Sequence, residues 1–173
     1  CGSFEDTVYV NFLRAHIVGT HDMLPSTGHR RTGSTAYAVG LTDRFNAAVA
    51  AKPVINWISK TLTADSMVGQ IYHQFPGPPW EHFEHYWKRS PLSLVGNVVT
   101  PTLLLTGEED RRTPMSETEQ FYQALRLRGV DSAMVRLPGA SHGIASKPSR
   151  LITKVDHILA WFERYKGRQS TRD

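Results

Sequence analysis

Residues 101–143 read PTLLLTGEEDRRTPMSETEQFYQALRLRGVDSAMVRLPGASHG, with a helical pattern between two apolar runs. The runs, Pro101–Thr106 and Ala133–Leu137, are short and apolar, which predicts buried strands. Between them, the Ser-x-x-Glu spacing that starts at Ser116 is typical of a capping box, and Gly129 is a typical helix stop. A strand, a helix and a strand in this order predict a right-handed parallel unit.

A candidate catalytic residue follows each predicted strand. The first strand leads into Gly-Glu-Glu-Asp, which ends at Asp110, and the second leads into a turn that contains His142. Because ligands of parallel sheets bind beyond the carboxyl ends of the strands, we expect these two side chains to form a hydrogen bond there. An Asp that orients a His is the arrangement found in nucleophilic hydrolases. The chain order Asp then His is that of the α/β-hydrolases, in which the nucleophilic Ser lies upstream of both.

Four segments around these two residues carry a more specific pattern. They are Gly107-Glu-Glu-Asp110-x-Arg112-x-Pro114, Glu119–Leu125, Arg128–Val130 and Pro138-Gly-x-x-His142-Gly143. They resemble the catalytic domain of the prolyl oligopeptidase family, in particular its acylaminoacyl-peptidase-like branch. The resemblance implies that Asp110 is the charge-relay carboxylate and His142 the catalytic base. The alternative is a pair of loop residues in an unrelated α/β domain.

The same resemblance implies an α/β-hydrolase fold. This chain would be the C-terminal portion of a mostly parallel sheet flanked by helices, with the early strands and the family's N-terminal propeller missing. We therefore interpret residues 1–173 as one partial peptidase domain. The chemistry of such a domain needs no metal and no organic cofactor, and its partner is a peptide substrate.

The family's nucleophile elbow, Gly-x-Ser-x-Gly-Gly, is not recognisable where the resemblance predicts it. Residues 19–40 read GTHDMLPSTGHRRTGSTAYAVG and contain no Gly-x-Ser-x-Gly. Counting back from residues 41–45, which resemble the family again, places His29 where the Ser is expected. Ser34 is a candidate nucleophile because its neighbours are small, but it lacks the second glycine of a tight elbow. The alternative is a structural Ser at a helix start.

A shifted reading frame would account for this segment. With permitted codons, residues 28–31 read one nucleotide out of frame give Val-Thr-Gly-Gly, which is how the family's strand enters its elbow. We therefore regard residues 19–40 as degraded and predict that they do not build a nucleophile elbow.

Three further elements follow from the pattern. Apolar residues within Phe4–Val18 predict a helix, Asn46–Ala51 predicts a strand, and an amphipathic helix that begins at Pro148 is expected to cover the sheet. With the early strands missing, the Asn46–Ala51 strand is expected to present an unpaired edge. Such an edge favours poor solubility and self-association.

Composition excludes several classes of protein. Of the 173 residues, 40% are hydrophobic and 21% charged, which is typical of a soluble globular domain. The net charge of +4 does not indicate nucleic-acid binding, because the basic residues are spread along the sequence. No apolar run approaches membrane-spanning length, and no signal peptide is recognisable, so the sequence does not separate cytoplasm from periplasm. One cysteine excludes an internal disulfide.

Two candidate metal ligands are His82 and His85, which lie about one helical turn apart beside Glu81 and Glu84. Such a spacing can hold a metal ion, but no third ligand is fixed by it. A solvated helical face is the preferred interpretation.

Three functions are consistent with these patterns. The first is a serine peptidase of the prolyl oligopeptidase type that cleaves short peptides or acyl-peptides by Ser-Asp-His acyl transfer, in a truncated form without a recognisable nucleophile. The second is a non-catalytic remnant of a hydrolase gene. The third is an esterase of the same fold, against which the Glu-Glu-Asp and Trp-Glu segments favour the peptidase branch.

Overall fold

The computed structural model describes residues 16–19, 35–66, 71 and 73–166. Within these ranges the chain forms a parallel sheet with helices on both faces. The strands are β1 (His16–Gly19), β2 (Ala47–Ala51), β3 (Thr102–Gly107) and β4 (Ser132–Leu137). The helices are α1 (Thr35–Leu41), α2 (Trp57–Thr63), α3 (Phe83–Arg89), α4 (Met115–Leu127) and α5 (Pro148–Arg164), with 3-10 helices at Pro91–Asn97 and Ile144–Ser146.

The strands stand side by side in sequence order, β1-β2-β3-β4, and all of their pairings are parallel. Ala51 lies opposite Leu105, which in turn lies opposite Val135. Every residue of β2 and β3 is buried. Burial on both faces explains why these strands read as unbroken apolar runs rather than as an alternating pattern.

Two apolar cores lie on opposite faces of the sheet. On one face, Ala48, Ala50 and Leu104 pack against α1 and against Phe121 and Leu125 of α4. The alternate residues of β2 and β3 face α5, and Trp161 of this helix and Tyr165 just after it are buried against them. This layered arrangement leaves the carboxyl ends of the strands as the edge where loops from both sides meet.

The segment between β2 and β3 forms a third, aromatic cluster. Phe75 stacks on Tyr86 with ring centroids 4.0 Å apart, and it contacts Trp57 at 5.2 Å. Trp57 is therefore a core residue.

The predicted helix at Phe4–Val18 is wrong at its C-terminal end. Residues 16–19 form β1, which pairs along its whole length with β2, from His16 opposite Ala47 to Gly19 opposite Ala50. Residues 4–15 lie outside the described residues. A strand of four residues is too short to impose a period on the sequence, which is why helical spacing prevailed in the prediction.

The expectation that the Asn46–Ala51 strand forms an exposed edge is also wrong. β1 occupies the side of β2 on which an open edge was expected, and β2 is buried throughout. The predicted self-association loses this structural basis.

The start of α4 also differs from the prediction. The helix begins at Met115, after Pro114, and no side chain caps its first turn. Glu119 instead extends toward Arg136, with Oε1 and Nη1 4.0 Å apart. The predicted end is confirmed: Gly129 has a φ of +71°, a conformation that glycine adopts without strain.

The helix that begins at Pro148 is confirmed, but only its C-terminal half packs on the sheet. Four apolar side chains of this helix are exposed: Leu151, Ile152, Val155 and Leu159. Across the described part of the chain, no helix combines the length and apolar character that crossing a bilayer requires.

Candidate active site

Two turns at the carboxyl edge of the sheet are joined by main-chain hydrogen bonds. β3 ends at Gly107 and β4 at Leu137. The N–H of Glu108 donates to the Leu137 carbonyl at 3.1 Å, and the N–H of Glu109 donates to the Ala140 carbonyl at 3.0 Å. The turn after β3 is therefore held directly against the turn after β4.

This contact requires the glycine at position 107. A Cβ at Gly107 would lie 2.2 Å from the carbonyl oxygen of Ala140 and 2.9 Å from that of Ser141. Any side chain there would push the two turns apart. Glycine at the strand end thus permits the close backbone approach that brings Asp110 toward His142.

The structure brings together the two residues that the sequence singled out. Nδ1 of His142 lies 2.8 Å from Oδ2 of Asp110. The Asp110 side chain is fully buried, whereas 31% of the His142 side chain is exposed. The predicted contact is therefore present, with one partner shielded from water and the other open to it.

Main-chain and side-chain donors hold the Asp110 carboxylate. Its Oδ1 accepts the N–H groups of Arg112 and Thr113, both at 2.9 Å, and its Oδ2 accepts the Thr113 hydroxyl at 3.0 Å. Burial by itself raises the pKa of Asp110, but the hydrogen bonds from His142 and Thr113 and the charge of His142 outweigh it. The pKa therefore lies below the ordinary value of 3.8. Asp110 is ionised at neutral pH and accepts hydrogen bonds only.

Thr113 was not predicted from the sequence, although its buried hydroxyl lies 3.3 Å from Nδ1 of His142. A signal for it does exist in the sequence. Asp110 accepts the N–H groups two and three residues ahead, which is the local turn that Asp favours, and this turn carries Thr113 back to the carboxylate.

A second missed residue, Glu117 of α4, anchors the loop that leaves β2. Its Oε2 accepts the N–H of Ile55 at 3.0 Å and that of Asn56 at 2.8 Å, and its Oε1 accepts the Ser59 hydroxyl. Burial raises the pKa of Glu117, although these hydrogen bonds act in the opposite direction. The loop starts at Lys52, whose φ of +53° turns the chain sharply at the end of the strand.

The predicted nucleophile region cannot be placed beside this pair. Residues 20–34, which include His29 and Ser34, lie outside the described residues. The described chain resumes at α1, which begins at Thr35.

The spacing Gly-x-Ser-x-Gly is absent from residues 19–40 but not from the whole chain, because Gly139-Ala-Ser-His-Gly143 matches it. This match is the turn that carries His142 itself, and a short 3-10 helix follows it. A nucleophile elbow instead joins a strand to an α-helix and stands opposite the His. The match at residues 139–143 is therefore not an elbow.

His85 packs against the aromatic cluster, so the expected solvated helical face is wrong for this residue. His85 packs edge-on against Phe75 with ring centroids 5.8 Å apart. The pKa of His85 is lowered, mainly by burial and to a smaller extent by electrostatic repulsion from Arg89 and His82. Within the described ranges, no three His, Cys, Asp or Glu side chains gather as a metal ion would require.

Comparison with known proteins gives consistent matches. The model of the prolyl oligopeptidase family matches residues 32–169. The uncharacterised peptidase YuxL of Bacillus subtilis is 37% identical over 76% of this chain and 20% of its own length. The acylamino-acid-releasing enzyme of Arabidopsis thaliana is 30% identical over 76% of this chain and 18% of its own length. The chain thus spans about a fifth of the length of these relatives.

Solved structures agree with the sequence matches. The acylaminoacyl peptidase of Pyrococcus horikoshii superposes with a TM-score of 0.70 at 25% identity, over 80% of this chain and 23% of that one. A puromycin hydrolase, solved as its S511A mutant with PGG, gives a TM-score of 0.73 at 21% identity over 91% of this chain and 23% of that one. The predicted α/β-hydrolase fold, with its parallel sheet flanked by helices, is confirmed.

Proposed function

Because the chain belongs to the prolyl oligopeptidase family, we propose that His142 and Asp110 are the general base and the orienting carboxylate of a serine peptidase. The observation that carries this proposal is the 2.8 Å contact between Nδ1 and Oδ2, buried on the Asp110 side and open on the His142 side. A base needs access to its substrate, whereas the group that orients it is strongest when shielded from water.

In the proposed reaction the base works through Nε2 of His142. With Nδ1–H bound to Asp110, Nε2 takes the proton of a serine hydroxyl as that oxygen attacks the scissile carbonyl carbon. The imidazolium, stabilised by the carboxylate, then gives the proton to the leaving amine, and an acyl-serine remains. Water, activated by the same nitrogen, hydrolyses the acyl group and restores the serine. Main-chain N–H groups beside the nucleophile stabilise the oxyanion.

The proposed substrates are short peptides or acyl-peptides. The relatives named acylamino-acid-releasing enzyme and the structural neighbours named acylaminoacyl peptidase support this substrate class for the present chain. The alternative is an ester substrate on the same fold. Hydrolysis of an acyl-amino-acid p-nitroanilide against that of a p-nitrophenyl ester separates the two, because the amide bond needs protonation of a leaving amine.

The test compares variants of three residues. His142→Ala is expected to abolish amide hydrolysis, and Asp110→Asn to lower kcat by about 10⁴-fold through the wrong imidazole tautomer. His157→Ala is the matched control, because His157 is an exposed histidine of α5. Hydrolysis that survives His142→Ala unchanged contradicts the proposal.

A second candidate, a non-catalytic remnant, is favoured by one observation: residues 19–40 contain no Gly-x-Ser-x-Gly. A fluorophosphonate that reacts with activated serines distinguishes the two candidates. Labelling of Ser34 that is lost in Ser34→Ala would identify an active hydrolase. A remnant would give no labelling at any serine while the contact between Asp110 and His142 persists.

A further inference from the structure

We propose that Thr113 is a positioning residue that locks the His142 imidazole in the tautomer with hydrogen on Nδ1. Its hydroxyl lies at the centre of the site, 3.0 Å from Oδ2 of Asp110 and 3.3 Å from Nδ1 of His142. Its side chain belongs to the buried part of the chain. Its contacts with both members of the pair are therefore shielded from competing water.

The direction of each hydrogen bond follows from the chemistry of the three groups. An ionised carboxylate only accepts, so the single hydroxyl hydrogen of Thr113 is donated to Asp110. The Thr113 oxygen then has only lone pairs to offer to Nδ1 of His142. Nδ1 faces two acceptors, Oδ2 at 2.8 Å and Oγ1 at 3.3 Å, and it satisfies both only when it carries a hydrogen.

Thr113 also fixes the carboxylate itself. Its main-chain N–H donates to Oδ1 at 2.9 Å while its hydroxyl donates to Oδ2, so one residue holds both oxygens. The N–H of Arg112 adds a second donor on Oδ1, and the Arg112 guanidinium is turned away to Asp65 at 2.9 Å. The carboxylate consequently keeps one orientation toward the ring, with Oδ2 in front of Nδ1.

For the proposed peptidase the consequence is a prepared base. A hydrogen fixed on Nδ1 leaves the lone pair on Nε2, the nitrogen that takes the proton of the nucleophile. The role in catalysis rests on the proposed function, whereas the tautomer is a property of the folded chain and can be measured without turnover.

The experiment follows solvent exchange of the His142 Nδ1 hydrogen by NMR on histidine-labelled chain. Thr113→Val keeps the shape of the side chain and removes the hydroxyl, and Thr113→Ser restores the hydroxyl without the methyl group. Because one hydrogen bond of this kind changes a local opening equilibrium by about tenfold, exchange is expected to be about tenfold faster in Thr113→Val. It is expected to stay within about twofold of wild type in Thr113→Ser.

Controls separate positioning from general loosening. Thr118→Val removes a buried hydroxyl that has no hydrogen-bond partner among the described residues, and it should leave the exchange of His142 unchanged. The main-chain amides of β3 serve as an internal reference in every variant. The proposal is overturned if the His142 Nδ1 hydrogen exchanges in Thr113→Val at the wild-type rate. It is also overturned if this substitution speeds exchange of the β3 amides as much as that of His142. An unchanged rate of hydrolysis in His142→Ala would instead refute the proposed function. It would not affect the conclusion drawn from hydrogen exchange.

Discussion

Replacing Glu117 by Ala is expected to destabilise the chain by about 2–6 kcal/mol. The carboxylate is fully buried and accepts two main-chain N–H groups, from Ile55 at 3.0 Å and from Asn56 at 2.8 Å. A buried donor left without an acceptor costs about 1–3 kcal/mol, and Glu117→Ala strands two of them. The loss is a substantial fraction of the roughly 5–15 kcal/mol by which the folded state of an ordinary domain is favoured.

Glu117→Gln is the matched control for this substitution. The amide oxygen can accept both N–H groups, and the amide nitrogen faces Ser59, whose hydroxyl can turn to accept. We expect a change of less than about 1 kcal/mol at neutral pH. Because burial raises the pKa of Glu117 above 4.5, its contribution to stability is present below pH 4.5 and is lost as the pH rises through the folded-state pKa. The Gln side chain does not titrate, so the stability of Glu117→Gln should not fall with rising pH for this reason.

Urea unfolding followed by tryptophan fluorescence measures both effects, since Trp57 and Trp161 are buried. The midpoint should fall sharply in Glu117→Ala with little change in the slope of the transition. An alanine variant with the wild-type midpoint would refute the reasoning. A glutamine variant as unstable as the alanine variant would refute it as well, because the main-chain acceptor would then not be the cause.

Other substitutions test the remaining features. Gly107→Ala should destabilise the chain and lengthen the contact between Asp110 and His142, because its Cβ would lie 2.2 Å from the Ala140 oxygen; an intact contact by NMR contradicts this. Asp110→Asn should remove the part of acid denaturation that appears as the pH falls below 3.8, since the lowered pKa stabilises the fold above that pH and the gain is lost below it; circular dichroism against pH checks it. Thr118→Val should raise stability by about 1 kcal/mol, because it replaces a buried hydroxyl that has no hydrogen-bond partner among the described residues; a lower melting temperature counts against it.

The sequence predicted the β3–α4–β4 unit because its signals are local. β3 is buried on both faces and reads as one apolar run, and α4 carries its own helical period. Asp110 and His142 were found together because each directly follows a strand of the same unit, so chain order alone placed them at one edge.

The elements that sequence reasoning missed depend on distant partners. Glu117 lies on a predicted helix, but its carboxylate accepts hydrogen bonds from main-chain N–H groups 61 and 62 residues away. No local sequence pattern indicates such distant partners. The capping box failed for the same reason, since Glu119 extends toward Arg136 on β4 instead of back to Ser116. β1 was missed because four residues in a helical context carry too little period to be recognised.

The two turns held together at Gly107 have a consequence for how the molecule opens. Amides that are bonded across two turns exchange with solvent only when both turns separate, so those of Glu108 and Glu109 should exchange together, in one cooperative event. Their opening would also release the contact between Asp110 and His142. Separation of the two turns is therefore a second route by which the pair can part, beside the side-chain opening that Thr113 restrains, and it would be recognised by simultaneous exchange at Glu108, Glu109 and the His142 ring.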